Sequence, residues 1–185
     1  MRTPYRLLGI ALLALGAPVL PAAASLIKFE AVLNGASENP PNGSPGTGLL
    51  DATFDDVGLT LLVHETFSGL TAPAAAAHIH CCAALGTNAP VVLNFIGQGF
   101  PTGVTSGTFD HQFNLSTDLI GITTANFVSA LFSGTTYGNI HDANFPGGEI
   151  RGQLIRVPEP ATTLLFGLGV GALALTRRIR ARRTG

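Results

Sequence analysis

The chain of 185 residues carries an apolar segment near each end, and these two segments confine a compact fold to the residues between them. The first, from Leu7 to Leu20, follows a short basic stretch and precedes Ala22-Ala23-Ala24. Basic, apolar and small residues in this order form the pattern that the secretion machinery and signal peptidase recognise. Because the apolar run is shorter than the roughly 20 residues of a membrane helix, we predict a signal peptide over residues 1–24, cleaved to leave Ser25 as the mature N-terminus.

The second apolar segment runs from Ala161 to Thr176, between Pro158-Glu159-Pro160 and a terminal cluster of arginines. As a helix it would be about 24 Å long, close to the hydrocarbon thickness of about 30 Å. Arginines stay preferentially on the cytoplasmic side of a membrane. We therefore predict a C-terminal membrane helix with the preceding domain outside. The arginines of the cluster are Arg177, Arg178, Arg180, Arg182 and Arg183.

This three-part tail over residues 158–185 resembles the PEP-CTERM sorting signal of Gram-negative bacteria. The resemblance implies a sorting motif that contains Pro158, Glu159, Pro160, Arg177 and Arg178. It also implies an exosortase-like membrane transpeptidase as partner, which would cut near Pro-Glu-Pro. Export would then lead to the cell envelope, the cell surface or the extracellular matrix, with transient anchoring in the inner membrane. The alternative is a permanent single-span anchor.

The segment between the two ends, residues 25–157, is long enough for one domain with its own core. It is strongly acidic, although the whole chain has a formal charge of only −1. Lys28, Arg151 and Arg156 are its only basic side chains other than histidine, against ten acidic ones, which gives −7. An acidic domain repels phosphates, so we expect no nucleic acid partner.

Alternation of apolar and polar residues predicts that this domain is mainly β. From Leu26 to Leu33, apolar and polar positions alternate with period two, as in a half-buried strand. Short segments of similar character, separated by turns rich in Gly, Pro, Asn and Asp, predict further strands. Helical spacing of apolar residues predicts one short helix over Thr124 to Phe132, capped by Thr123 or Thr124. We expect a single β-sandwich or partly open barrel. The further strands are expected at residues 48–54, 58–67, 74–82, 90–96, 107–115, 137–141 and 148–157. Leu59, Leu61, Val63 and Phe67 are expected to point inward.

The domain resembles the CHRD domain, a module repeated in animal chordin proteins and found singly in bacteria. The matching blocks are Phe29-Glu30-Ala31, Leu33-Asn34-Gly35, Glu38-Asn39-Pro40-Pro41, Thr47-Gly48, Gly69-Leu70, Ala77-His78-Ile79-His80, Tyr137-Gly138-Asn139-Ile140-His141 and Pro146-Gly147-Gly148-Glu149-Ile150-Arg151-Gly152. The family usually has Gly soon after His-x-His and Thr after the last His. Here Cys81-Cys82 and Asp142 stand at those points. The resemblance brings no established enzymatic activity.

Three histidines are the candidate metal ligands. His78 and His80 are two apart in a predicted strand, so their side chains share a face. His141 joins them if the strand that it ends runs close by. Imidazole suits Zn and Cu, and three imidazoles could hold either ion. The alternative is a buried polar network that fixes strand register, with Glu149 and Arg151 contributing a salt bridge.

The only two cysteines, Cys81 and Cys82, are adjacent and follow His80 directly. In an oxidising envelope, free thiols tend to oxidise. Three alternatives stay open: a vicinal disulfide, thiolates that join the histidines as metal ligands, or two reduced thiols packed in the core.

The sequence supports two hypotheses of function. The leading one is a non-enzymatic protein of the cell surface or matrix, which binds an extracellular polymer. The second is a small secreted metalloprotein with Zn or Cu and a redox role, built on His78, His80 and His141. No nucleophile elbow, phosphate loop or His-Glu-x-x-His helix occurs in the chain, so the histidine cluster alone favours enzymatic chemistry.

Overall fold

The computed structural model describes residues 25–158. The predicted signal peptide and membrane helix lie outside these residues and stay predictions. Within the described part, no helix is long and apolar enough to cross a membrane. The domain itself is mainly β with one α-helix.

Nine strands, one short 3-10 helix and one α-helix follow one another along the described chain. The strands are β1 (Leu26–Asn34), β2 (Thr47–Asp55), β3 (Thr60–Ser68), β4 (Ala74–Cys81), β5 (Val91–Asn94), β6 (Gly107–Asn114), β7 (Thr136–Asp142), β8 (Ile150–Gln153) and β9 (Ile155–Arg156). The 3-10 helix covers Gly35–Ser37, and the α-helix α1 covers Thr124–Phe132.

All nine strands belong to one sheet, curled into an open half-barrel, and not to the two packed sheets of a sandwich. The strand order is β5-β4-β7-β8-β1-β2-β3-β6, with β9 paired to β1. The pairs described are all antiparallel. The sheet joins distant parts of the chain where β8 meets β1, so the C-terminal strands lie in its middle.

Phenylalanine side chains bridge the open side of the half-barrel, between the two terminal strands β5 and β6. Phe95, directly after β5, stacks on Phe109 and Phe113 of β6, with ring centroids 4.7 and 5.5 Å apart. The Ile120 N–H donates to the Val92 carbonyl over 2.9 Å, which adds a backbone link across the same gap. The concave side thus becomes a core in which these rings are fully buried.

The predicted helix is found at the predicted residues, because its apolar spacing and its cap act together. The Thr123 side chain accepts a hydrogen bond from the Asn126 N–H at the N-terminus. Phe127 and Leu131 are buried, which anchors one face of α1 on the sheet. At the other end, Phe132 meets Phe29 edge to face with centroids 5.5 Å apart.

Two details differ from the sequence prediction. Leu59 does not point inward, because it lies in the turn before β3 with φ of +50° and is 36 % exposed. The last predicted strand is split at Leu154, which is fully buried and donates its N–H to the Thr136 carbonyl. This break directs β9 back onto β1, where Arg156 pairs with Phe29.

Candidate functional site

The convex face of β4 and β7 presents the three predicted histidines together. In the antiparallel register, His78 lies opposite Asn139 and His80 opposite Tyr137. His141 lies opposite Ala76, two residues beyond Asn139 on β7. Because side chains alternate between the two faces of a strand, His141 is on the same face as Asn139 and therefore as His78. The core-facing positions between them, such as Ile79, are fully buried in the half-barrel.

The three imidazoles are close enough to share one small ion. Nδ1 of His78 lies 3.1 Å from Nε2 of His141. One nitrogen from each ring can be chosen so that all three lie within 4.8 Å of one another. The ring centroid of His78 is 5.6 Å from that of His80 and 5.0 Å from that of His141. Strand pairing alone therefore brings together the residues that the sequence singled out.

Backbone carbonyls from two loops determine which ring nitrogen of His80 and of His141 is free to bind an ion. Nδ1–H of His80 donates to the Ala89 carbonyl over 2.8 Å, and Nδ1–H of His141 donates to the Pro146 carbonyl over 3.0 Å. Carbonyl oxygens only accept, so the proton of each neutral ring is on Nδ1 and Nε2 is left with its lone pair. Nε2 of His80 is buried and has no hydrogen-bond partner within residues 25–158. A buried polar atom without a partner is uncommon and calls for an explanation.

Burial keeps these histidines neutral at physiological pH. It lowers the pKa of His78 to about 4, with further lowering by His141 and His80. Burial is also the main cause that lowers the pKa of His80 and of His141, against the hydrogen bonds to Ala89 and Pro146. Neutral rings are what a metal ion requires, because protons compete for the same lone pairs.

Tyr137 and Arg151 form a stack beneath the histidines. The Tyr137 ring lies parallel to the His80 ring, with centroids 4.7 Å apart. The guanidinium carbon of Arg151 lies 3.4 Å from the Tyr137 centroid, a cation–π contact. Arg151 is only 2 % exposed and donates to the side-chain oxygen of Asn88 and to the Thr87 carbonyl. The loop between β4 and β5 is thereby held against the sheet next to His80.

Glu149 and Arg151 are both buried, yet they bond to different partners. Within residues 25–158, no ion pair joins the two side chains. One Glu149 oxygen accepts from the Ser44 hydroxyl and the Thr71 N–H, over 2.6 and 2.7 Å. Burial and the neighbouring Asp142 raise the pKa of Glu149. The Glu149 carboxyl therefore organises the loops before β2 and after β3 and does not pair with the arginine.

Glu38 is the acidic neighbour of the stack that sequence reasoning missed. It is 6 % exposed, accepts a hydrogen bond from the Asn139 side chain, and has a pKa raised to about 7 by burial, which Arg151 partly offsets. Its position in a proline-rich loop predicts exposure, since loops usually run over the surface. The one available signal is its place in the family block before Pro40-Pro41.

Cys81 and Cys82 are joined to each other by a disulfide in the structure. Cys81 is buried on the core-facing side of β4, whereas the histidines lie on the other face. Both sulfurs are thus bonded to each other, and neither is among the three clustered donors.

The two remaining histidines lie elsewhere on the sheet. Nδ1 of His64 on β3 lies 2.7 Å from the Asp110 carboxylate, and both side chains are well exposed. His111 on β6 packs edge to face against Phe113.

A shallow cleft of about 480 Å³ adjoins the histidine face. It is lined by the 38–42 loop, by Asn88 and by the 144–148 loop. Pro146 in this lining is the residue whose carbonyl holds His141. The cleft therefore opens beside the cluster and not on the core side.

Comparison with known protein families gives two matches. A model described as the CHRD domain matches residues 29–154, which include the whole histidine face. A model described as the PEP-CTERM protein-sorting motif matches residues 156–183. Both resemblances found in the sequence are confirmed. No curated protein and no solved structure matches the chain significantly.

Proposed function

The chain belongs to the CHRD domain family, and on that premise we propose that it is a non-enzymatic component of the cell surface or extracellular matrix. An exosortase-type transpeptidase delivers it there, as its PEP-CTERM motif implies. The observation that carries this proposal is the order of the two matches, since the sorting motif begins at the point where the folded domain ends.

The junction between domain and tail supports cleavage without damage to the fold. β9 is the last strand of the described residues, and the Val157 N–H then donates to the Lys28 carbonyl over 2.8 Å. Pro158 follows, exposed and without an N–H to continue the ladder. A cut near Pro158-Glu159-Pro160 removes the predicted membrane helix and the arginines and leaves every strand of the sheet in place.

Replacing Pro158, Glu159 and Pro160 with alanine is expected to block release of the tail. The protein should then accumulate in the inner membrane, heavier than the processed form by the mass of the uncleaved segment. Cell fractionation with mass spectrometry measures both effects. Val157→Ala is the matched control, because it alters an exposed side chain next to the motif and should be processed normally. If the triple variant reaches the surface without its tail, the motif is incidental.

Removal of the signal peptide during export would create a positive charge at the N-terminus of the domain. The Ser25 nitrogen lies 2.8 Å from the Asp56 carboxylate. Cleavage after Ala24 would turn this amide into an ammonium group, which pairs better with the carboxylate. We expect N-terminal sequencing of envelope-extracted protein to begin at Ser25. A chain that still begins at Met1 would contradict cleavage.

The extracellular polymer is the proposed partner of the mature domain. With a formal charge of −7, the domain would be repelled by anionic nucleic acid and favours neutral or cationic material. Polymer binding can be measured by co-sedimentation of the mature protein with isolated matrix.

A further inference from the structure

We propose that the convex face of β4 and β7 holds one zinc or copper ion on three nitrogens: Nδ1 of His78, Nε2 of His80 and Nε2 of His141. This inference goes beyond delivery to the surface and does not depend on it. The site contains no carboxylate and no thiolate, and it leaves one coordination position for an exogenous ligand.

The spacing of the nitrogens fits an ion between them. Two nitrogens that bind the same ion at 2.0–2.1 Å in tetrahedral geometry are about 3.3 Å apart. Nδ1 of His78 and Nε2 of His141 are 3.1 Å apart, and one nitrogen of each of the three rings can be chosen so that all three lie within 4.8 Å of one another.

The donor atoms follow from the hydrogen bonds of the rings. Metal-binding histidines commonly donate their other N–H to a carbonyl or carboxylate, which fixes the tautomer and orients the ring. The carbonyls of Ala89 and Pro146 do this for His80 and His141. In the metal-free domain, Nδ1–H of His78 donates to Nε2 of His141, and the ion takes the place of that bond while the His78 proton moves to its Nε2.

The orphaned nitrogen of His80 is the second, independent observation. Nε2 of His80 is buried without a partner among the described residues. Burying an unpaired polar atom is unfavourable, because the atom loses its hydrogen bonds to water. Coordination would satisfy this atom, whereas a purely structural hydrogen-bond network leaves it unpaired. A purely structural network therefore accounts for Nδ1 of His80, which donates to the Ala89 carbonyl, but not for its Nε2.

The donor set determines the class of metal. Three neutral imidazoles suit ions of intermediate softness such as Zn and Cu, whereas Ca and Mg need oxygen ligands. The disulfide between Cys81 and Cys82 leaves no thiolate for a softer ion. Three protein ligands also leave the fourth position of a tetrahedral ion open. The ion can enter from solvent, because His78 and His141 are only partly buried.

The test uses the full chain without a histidine tag, purified in detergent and stripped with a chelator. Equilibrium dialysis against Zn²⁺ or Cu²⁺ at micromolar concentration should load one ion per chain. X-ray absorption of the loaded chain should show nitrogen neighbours at about 2.0–2.1 Å, imidazole scattering and no sulfur at about 2.3 Å. Lack of saturable uptake, or a sulfur neighbour, overturns the proposal. This spectroscopy needs no variant, so it decides the matter even where a substitution prevents folding.

Variants then assign the ligands. His78→Ala, His80→Ala and His141→Ala are each expected to weaken metal affinity by about 100-fold or more, since even outer partners of a ligand contribute 10–100-fold. His64→Ala and His111→Ala are matched controls on β3 and β6 and should bind as the parent chain does. Equal affinity in the parent and all three ligand variants, each verified as folded by circular dichroism, contradicts the site.

Discussion

Replacing Glu65 with glutamine is expected to stabilise the domain at pH 8 by about 2 kcal/mol or more, with little change near pH 4.5. Glu65 lies on β3 among inward-facing residues and is fully buried. Neither of its oxygens has a hydrogen-bond partner in the described structure. Burial raises the pKa of this carboxyl from 4.5 to about 8, because an isolated charge in an apolar core is costly.

The direction of the pH effect follows from proton linkage. Between pH 4.5 and about 8, the folded state holds a proton on Glu65 that the unfolded chain has released. Stability from this group is therefore complete below the unfolded pKa and falls as pH rises, by at most about 1.4 kcal/mol per pH unit, until the folded pKa is passed. Glutamine has nearly the same shape and no proton to lose, so Glu65→Gln removes this fall.

Thermal and urea unfolding of parent and variant, measured from pH 4.5 to 9, checks the prediction. Glu30→Gln is the matched control: it changes the formal charge equally at an exposed position of β1. The informative quantity is the difference between variant and parent, because Glu38, Glu149 and the histidines also titrate. Parallel pH profiles for parent and Glu65→Gln would show that Glu65 is charged or solvated in the fold.

The buried position of Glu65 can be predicted from the sequence of β3. Alternation along β3 predicts that Leu61, Val63 and Phe67 face inward, and all three are buried. The same period two places Glu65 between Val63 and Phe67 on the inner face. A charged residue at an inward position is a local conflict, and such conflicts often mark special sites. The alternation of β3 is therefore sufficient to place Glu65 on the inner face of the sheet.

The histidine cluster was predictable for the same reason that the fold class was. Strand periodicity fixes which side chains share a face, so His78 and His80 had to project together. The approach of His141 depends on the pairing of β4 with β7, a contact between distant parts of the chain. Such pairing is not encoded in local propensity, so the sequence left the approach of His141 as a condition, which the CHRD resemblance suggested but did not show. Partners provided by loops, such as the Ala89 and Pro146 carbonyls, could not be derived from spacing.

The choice between sandwich and half-barrel lay beyond the sequence for a related reason. The strands could be predicted from the sequence, with β8 and β9 as one, but alternation is the same in one curled sheet and in two stacked sheets. The pairing of β8 with β1 joins all nine strands into one sheet. Gly152 of β8 permits this approach, because a Cβ at that position would lie 2.5 Å from the Val32 carbonyl oxygen. The glycine was visible in the sequence, but the strand it approaches was not.

Replacing Arg151 with methionine is expected to destabilise the domain by about 3–5 kcal/mol, the usual cost of removing one member of a buried charged network. The guanidinium is almost fully buried, lies over the Tyr137 ring, and donates to Asn88 and Thr87. Its removal breaks two hydrogen bonds that hold the loop between β4 and β5, and it deprives the buried Glu38 carboxyl of the positive charge that lowers its pKa. Methionine fills most of the volume and restores none of these interactions.

Urea unfolding of the full chain in mild detergent, followed by near-ultraviolet circular dichroism, measures this loss as a shift of the midpoint. Arg156→Met is the matched control, because Arg156 is exposed on β9 and its guanidinium lies 5.6 Å from the Phe132 ring centroid. We expect the control to change stability by less than about 1 kcal/mol. Arg151→Lys should lie between the two, since lysine keeps the charge but cannot stack flat on Tyr137 or donate in a planar fork. If Arg151→Met is as stable as Arg156→Met, the stack under His80 contributes little to the fold.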